Sequence, residues 1–322
     1  MKTRIGQSGL GLPNHSRRRK VASSDPQLET VRRAILELDP NGIRIGQVLR
    51  DTIDQLLDGV HTGRYKWDQL FKTEKTHAGT LVEINLQREF KFKDGALLDY
   101  SIKDIEADCK FSQSLYGWMI PPEAEDHLCL AVWASDEKSM WSAGLVRASK
   151  QHLSSGENRD RKRTLSQTGR GAITWLFENH PLPPNVFLRL APEKVDHILD
   201  TTKSGQERVN RLFMQARELI ISRAAVATAA QQDDFMKRVR ENGGAREKLR
   251  RFGVVILGHE HRELARALKL AVPEKGEFVS VQLVRVPAES SRPAVIIEEE
   301  RWAVALPGEP MMTAPKLPRA AP

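Results

Sequence analysis

The sequence has few cysteines and no long apolar run. Its two cysteines, Cys109 and Cys129, lack the spacing of metal ligands, so we expect neither a disulfide framework nor a zinc site. No stretch of about 18 apolar residues is present, and the N-terminus lacks the apolar core of a secretion signal. These absences argue against a secreted disulfide-rich domain and a membrane-spanning helix, and we expect a cytoplasmic protein.

An excess of basic residues stands out in the composition. The 322 residues include 50 Lys and Arg against 42 Asp and Glu, which gives a net charge of +8 and a pI near 9.5. Such an excess is typical of proteins with a polyanionic partner, although many other proteins are equally basic. With 40% hydrophobic residues the chain can fill two ordinary cores, and we predict two domains.

Changes in composition and periodicity divide the chain into four parts. Residues 1–24 are rich in Gly, Ser, Asn and Arg without apolar periodicity, which predicts a flexible basic arm. Residues 25–172 alternate helical and strand-like segments, which predicts an α/β (mixed α+β) domain with a mixed sheet flanked by helices. Residues 173–186 are predicted as a linker, and residues 187–322 form a second domain.

The second domain begins with three helical segments followed by the strand-like run GVVILG, which is the order of a winged helix-turn-helix. We predict helices near 206–220 and 222–231 and a third from Asp233-Asp234, whose side chains can cap it. This third segment carries an excess of positive charge, which suits contact with DNA phosphates or base edges but also occurs on ordinary solvated helices. Its basic residues are Lys237, Arg238, Arg240, Arg246, Lys248, Arg250 and Arg251. A second basic cluster, Arg159 to Arg163, has the same two interpretations.

The first domain contains one plausible site for cleaving phosphodiesters, in the stretch LLDYSIKDIEADCKF. Asp108 and Lys110 alternate with apolar neighbours, so strand geometry puts both on one face, and Asp99 lies nine residues before Asp108. Carboxylates can hold Mg2+, and a nearby ammonium can orient or deprotonate an attacking water. The alternative is an ion pair on a solvated strand, since acid-x-Lys triplets such as Asp136-Glu137-Lys138 also arise by chance. A preceding helical segment carries Glu83, which favours the functional interpretation.

Several longer stretches between about residues 30 and 310 match a known family: LRDTIDQLLDG, QLFKTEKTH, GTLVEINL, DCKFS, PPE followed by LAVWASD, and AQQDDFMKRVRENGGAR. In these stretches the sequence resembles type II restriction endonucleases of the NaeI family. The resemblance implies an endonuclease domain of the restriction-enzyme fold and a C-terminal DNA-binding effector domain like that of the catabolite activator protein. It also implies that Glu83, Asp99, Asp108 and Lys110 form the catalytic set. Asp99 and Asp108 would then hold Mg2+, with Glu83 completing the ligand set or supporting it.

The same resemblance implies an activity and its partners. We expect Mg2+-dependent cleavage of double-stranded DNA at a GC-rich palindrome, with GCCGGC as the first candidate. We also expect a homodimer, binding of substrate and effector copies of the site, and a cognate DNA methyltransferase in the same cell. Two alternatives stay open at this point: a non-catalytic winged-helix regulator, which would bind DNA without nicking it, and a repair or recombination nuclease, which would cut a plasmid without discrete bands.

Overall fold

The structure is a computed structural model, and it describes residues 25–318. The predicted basic arm, residues 1–24, lies outside the described residues. Within them, no helix is both long and apolar enough to cross a membrane. The prediction of a mixed α/β chain is confirmed, and the arrangement is consistent with a restriction-endonuclease-like fold.

Five helices lie in the described part of the N-terminal half, from residue 25 onward. The first begins at Pro26, because Asp25 accepts a hydrogen bond from the Leu28 amide at 3.0 Å and proline is favoured at the first helical position. It ends at Leu38, before the Asp39-Pro40 pair that stops helices. The five are α1 (Pro26–Leu38), α2 (Ile43–Leu57), α3 (Gly59–Thr62), α4 (Lys72–Phe90) and α5 (Gln167–Gly171).

A six-stranded sheet forms the centre of this half. Its strands lie in chain order across the sheet; β3 and β4 pair in parallel, and the other neighbours pair antiparallel. The strands are β1 (Lys93–Asp94), β2 (Tyr100–Ile102), β3 (Ile105–Ser112), β4 (Leu128–Ser135), β5 (Met140–Arg147) and β6 (Thr174–Pro181). The range predicted as a linker, 173–186, therefore includes strand β6.

The two faces of this sheet are covered differently. Helices α1, α2 and α4 pack on one face, which we call the helix-covered face, around buried side chains such as Leu130 and Leu145. The opposite face, the loop-covered face, contains Cys129 and Ala131 of β4. It is covered by largely irregular chain between β3 and β4 and between β5 and β6, which contributes Trp118 to this core. Loops can carry functional side chains without disturbing a sheet.

The C-terminal half combines five helices with a second sheet. In that sheet β9 lies between β7 and β8, pairing antiparallel with both, and β11 continues from β9 to β10. The helices are α6 (Pro192–Leu199), α7 (Gly205–Gln215), α8 (Arg223–Ala230), α9 (Ala245–Arg250) and α10 (Arg262–Ala267). The strands are β7 (Ile220–Ser222), β8 (Val254–Gly258), β9 (Glu277–Arg285), β10 (Ala294–Ile297) and β11 (Glu300–Val304).

The continuous third helix predicted from Asp233 is wrong. The segment instead has a short 3-10 turn at Phe235–Arg238, a break at Gly243-Gly244 and then α9. Gly243 has a left-handed backbone with φ of 75°, and a Cβ on Gly244 would collide with the backbone of Arg240. Two glycines in succession disfavour a helix, and here they permit a close chain crossing.

Candidate active site

A tight hairpin brings Asp99 and Asp108 side by side. Strands β2 and β3 are joined by a turn at Lys103 and Asp104, both of which have positive φ. The register pairs Tyr100 with Ala107, so the next residue outward on each side is Asp99 or Asp108. The two acids, nine positions apart in the sequence, are thus neighbours in the fold.

Lys110 holds the two carboxylates together. Its Nζ lies 2.6 Å from Oδ1 of Asp108 and 3.4 Å from Oδ2 of Asp99. The amide of Cys109 donates a hydrogen bond of 2.7 Å to the same Oδ2 of Asp99. Asp108 and Lys110 lie on one face of β3, as their alternation predicts, and their register partners on β4, Cys129 and Ala131, assign them to the loop-covered face.

Burial dominates the electrostatics of Asp108. The residue is 3% exposed, and this burial raises the pKa of its carboxyl to about 7, although Lys110 opposes the shift and Asp99 adds to it. Burial alone would lower the pKa of Lys110, but the Asp108 carboxylate raises it well above its usual value. The ammonium and the two acids therefore form one interacting group.

Glu83 lies on α4, beside this group and without a direct bond to it. The hydroxyl of Tyr100, the residue after Asp99, donates a hydrogen bond of 2.8 Å to the Glu83 backbone carbonyl. Burial raises the pKa of the Glu83 carboxyl, Asp99 raises it further, and Lys110 lowers it. Within residues 25–318, no ion pair joins the Glu83 carboxylate to Lys110, and no group of three or more His, Cys, Asp or Glu side chains is arranged to hold a metal ion.

One carboxylate oxygen shows that the pair of acids fits a cation. Oδ2 of Asp108 is buried and has no hydrogen-bond partner among the described residues. Leaving such an oxygen without a partner costs about 1–3 kcal/mol, and a cation bound between Asp108 and Asp99 would remove that cost. A hard divalent ion prefers oxygen ligands of this kind.

The second acid-x-Lys triplet has a structural role that the sequence did not reveal. It forms the turn between β4 and β5, but the Asp136 side chain is buried, with Oδ1 2.5 Å from Nη1 of Arg50. Its Oδ2 accepts a hydrogen bond of 3.2 Å from Nδ2 of Asn185, a residue in the connection to the C-terminal half. Arg50 is followed by Asp51 and Thr52 in α2, so nothing in the sequence indicated that it is buried.

The seven basic residues predicted to bind DNA fall into two groups. Lys237 and Arg238 pair with Asp234, Arg246 pairs with Glu260, and Arg250 donates to the Ala314 carbonyl. The others are exposed and form no ion pair within the part of the chain that the structure describes: Arg240, Lys248 and Arg251. These three are the most accessible to an anionic partner.

Comparison with known proteins assigns the chain to one group. The family described as Restriction endonuclease NaeI matches residues 29–313. The type II restriction enzyme NaeI of Lentzea aerocolonigenes is 48% identical over 308 residues, which cover 93% of this chain and 97% of the relative. All four residues predicted as the catalytic set lie inside the matched range.

Proposed function

The chain belongs to the restriction endonuclease NaeI family, and from that premise we propose that it cuts duplex DNA with Asp99, Asp108, Lys110 and Glu83 around a Mg2+ ion. Membership makes it a type II, site-specific endonuclease acting on double-stranded DNA. It sets aside the non-catalytic regulator and the relaxed-specificity nuclease. The remaining question is which residues perform the hydrolysis and how the DNA is held.

The observation that carries the proposal is the unpartnered Oδ2 of Asp108 beside Asp99 and Lys110. Asp108 and Asp99 would hold the ion, and Glu83 would support it from α4. A Mg2+ ion held there would supply positive charge beside the cleaved phosphate and would favour deprotonation of a nearby water. Lys110, whose pKa is raised by the Asp108 carboxylate, would donate hydrogen bonds from its Nζ that orient the attacking water and the cleaved phosphate.

A substitution that replaces one carboxylate oxygen of Asp108 by an amide nitrogen tests the catalytic assignment. Asp108→Asn should lower the single-turnover cleavage rate at least about a thousand-fold, because the amide cannot replace the charged oxygen, while binding measured with Ca2+ persists. The matched control is Asp104→Asn in the turn of the same hairpin, whose side chain is 92% exposed. Cleavage by Asp108→Asn at the native rate would remove this residue from the site. Chelation with EDTA should stop native cleavage, and Mg2+ should restore it.

We propose further that the C-terminal half is a winged helix-turn-helix domain that binds effector DNA. The order α7, β7, α8, α9, β8, β9, with β9 between β7 and β8, is the order and sheet arrangement of that module. Helix α9 carries the exposed Lys248, and Arg251 directly follows it. Binding there would activate cleavage if the bound and free states hold the first domain differently.

The proposal also covers the oligomeric state of the enzyme and the DNA sequence that it cuts. Cutting both strands of a palindrome requires two active sites, so we propose a homodimer acting at GCCGGC, with a cognate methyltransferase protecting the host DNA. Digestion of a sequenced plasmid with Mg2+, followed by mapping of the ends, tests site and cut position together. A smear without discrete fragments would contradict the site.

A further inference from the structure

A basic hairpin extends from the loop-covered face of the first sheet. We use the name basic hairpin for residues 153–165, whose ends pair through an antiparallel bridge between Leu153 and Leu165. A second bridge, between Arg163 and Ile120, ties it to the chain between β3 and β4. Asp108 and Lys110 lie on this same face, so the hairpin belongs to the side of the sheet from which DNA would reach them.

The base of the basic hairpin shares a core with the neighbours of the proposed catalytic residues. Leu153 and Leu165 are buried in one cluster with Leu98, which precedes Asp99. The same cluster contains Cys129, the register partner of Asp108. Because cores pack densely, the position of the hairpin relative to the two acids is fixed by contact.

The tip of the basic hairpin is held rigid by one side chain. Oδ1 of Asn158 accepts hydrogen bonds from the amides of Asp160 at 3.0 Å and Lys162 at 2.9 Å. The Asn158 amide donates to the Lys162 carbonyl at 2.9 Å, and Arg161 has a left-handed backbone with φ of 59°. A turn closed in this way is ordered before it binds a partner, so binding costs less conformational entropy.

The cations on this tip have no acidic partners. Arg159 and Arg161 are exposed, and neither they nor Lys162 forms an ion pair with any residue of the described chain, whereas Arg163 approaches Glu157 at 3.5 Å. By contrast Arg44, whose side chain is 40% exposed, pairs with Glu89 at 2.7 Å. Free cations on a preorganised turn suit a polyanion that arrives from solution.

We propose that the basic hairpin binds phosphates of the substrate duplex beside the cleaved bond, with Arg159 and Arg161 as the contacts. The proposal rests on the catalytic assignment only for the location of the cleaved bond. Phosphate contact is favoured over base reading because reading requires a side chain locked by its neighbours. No hydrogen bond within residues 25–318 fixes the guanidinium of Arg159 or Arg161.

The salt dependence of DNA binding tests the proposal. The logarithm of the DNA association constant falls as log salt rises. Arg159→Ala and Arg161→Ala should each make this slope about 0.9 less steep, for cognate and scrambled duplexes alike, when affinity is measured with Ca2+. Arg159→Lys and Arg161→Lys should restore the slope. The matched control is Arg33→Ala, an exposed arginine of α1 on the helix-covered face, which should leave the slope unchanged.

A second variant separates charge from rigidity. Asn158→Ala keeps every cation but removes the acceptor that closes the tip, so affinity should fall several-fold at an unchanged salt slope. Thermal unfolding of each variant checks that the fold persists. Native slopes in both arginine variants would overturn the proposal, and a loss confined to the cognate duplex would replace it with base reading. If Asp108→Asn still cuts while the slopes fall, the hairpin stands and the catalytic assignment fails.

Discussion

The proposed role of Lys110 can be tested directly by substitution. Lys110→Ala should slow single-turnover cleavage by about 100-fold or more, because the water and phosphate lose the ammonium that orients them. DNA binding with Ca2+ should remain. The chain offers a matched control in Lys138, the exposed lysine of the second triplet. Equal rates for both lysine variants would show that Lys110 only balances the charge of Asp108.

A buried histidine in the C-terminal half predicts a dependence of stability on pH. His261 is 4% exposed; its Nδ1 accepts from the Gly258 amide, and its Nε2 faces the Pro318 carbonyl. Burial lowers its pKa, although Glu260 partly opposes this, so below the unfolded-state pKa the unfolded chain takes up more protons than the folded chain. Stability should therefore fall as the pH drops below that value.

Thermal unfolding at pH 8 and pH 5.5 measures this effect. His261→Gln removes the titrating ring, so the variant should lose less stability than the native protein over this range. The exposed His77, changed to Gln, is the control. A native protein whose decline matches that of His261→Gln would show that other groups cause the acid sensitivity.

At the scale of single elements, two glycines should respond in opposite ways to alanine. Gly79 lies inside helix α4 with open space where a Cβ would be, so Gly79→Ala should stabilise the fold by about 0.5–1 kcal/mol. Gly244→Ala should destabilise it by about 1–3 kcal/mol, because the added carbon collides with the backbone of Arg240. Urea unfolding measures both. A stable Gly244→Ala would mean that the break before α9 relaxes easily.

The elements with strong local patterns could be predicted from the sequence. The cap at Asp25 and the alternation through Asp108 and Lys110 correspond to observed structure. Two features could not be predicted, because tertiary contacts decide them. The segment that forms strand β6 was predicted as a linker, because its sheet partner β5 is distant in sequence. The burial of Asp136 depends on its ion pair with Arg50. The proximity of Asp99 to Asp108 required the hairpin register, whereas the roles of the four residues stay a prediction.

The two halves of the molecule are joined by a buried polar network. Asn185 donates from Nδ2 to the Tyr65 carbonyl at 2.7 Å and to Asp136, and its Oδ1 accepts from the Phe187 amide. Phe187 in turn belongs to the C-terminal core. Arg50, paired with Asp136 and with Asp54 at 2.8 Å, completes the network from α2. Buried charges of this kind are costly to separate from their partners.

Removal of one acid should therefore destabilise the whole molecule. Asp136→Ala should lower the free energy of unfolding by about 3–5 kcal/mol, since Arg50 stays buried with only Asp54 as its acidic partner. Glu137→Ala changes the exposed neighbour in the same turn and should have little effect. Urea unfolding of both variants gives the comparison. Equal stabilities would show that Arg50 finds water when Asp136 is absent.

The two-residue turn at Lys103-Asp104 limits how this gene can change in length. If one inserted or deleted codon there moved β3 by one position against β2, every side chain of the strand would turn to the opposite side. Asp108 and Lys110 would then point into the apolar layer beneath α4. Descendants of this enzyme can therefore gain a residue at this turn only if the turn itself enlarges and the pairing of β2 with β3 is kept.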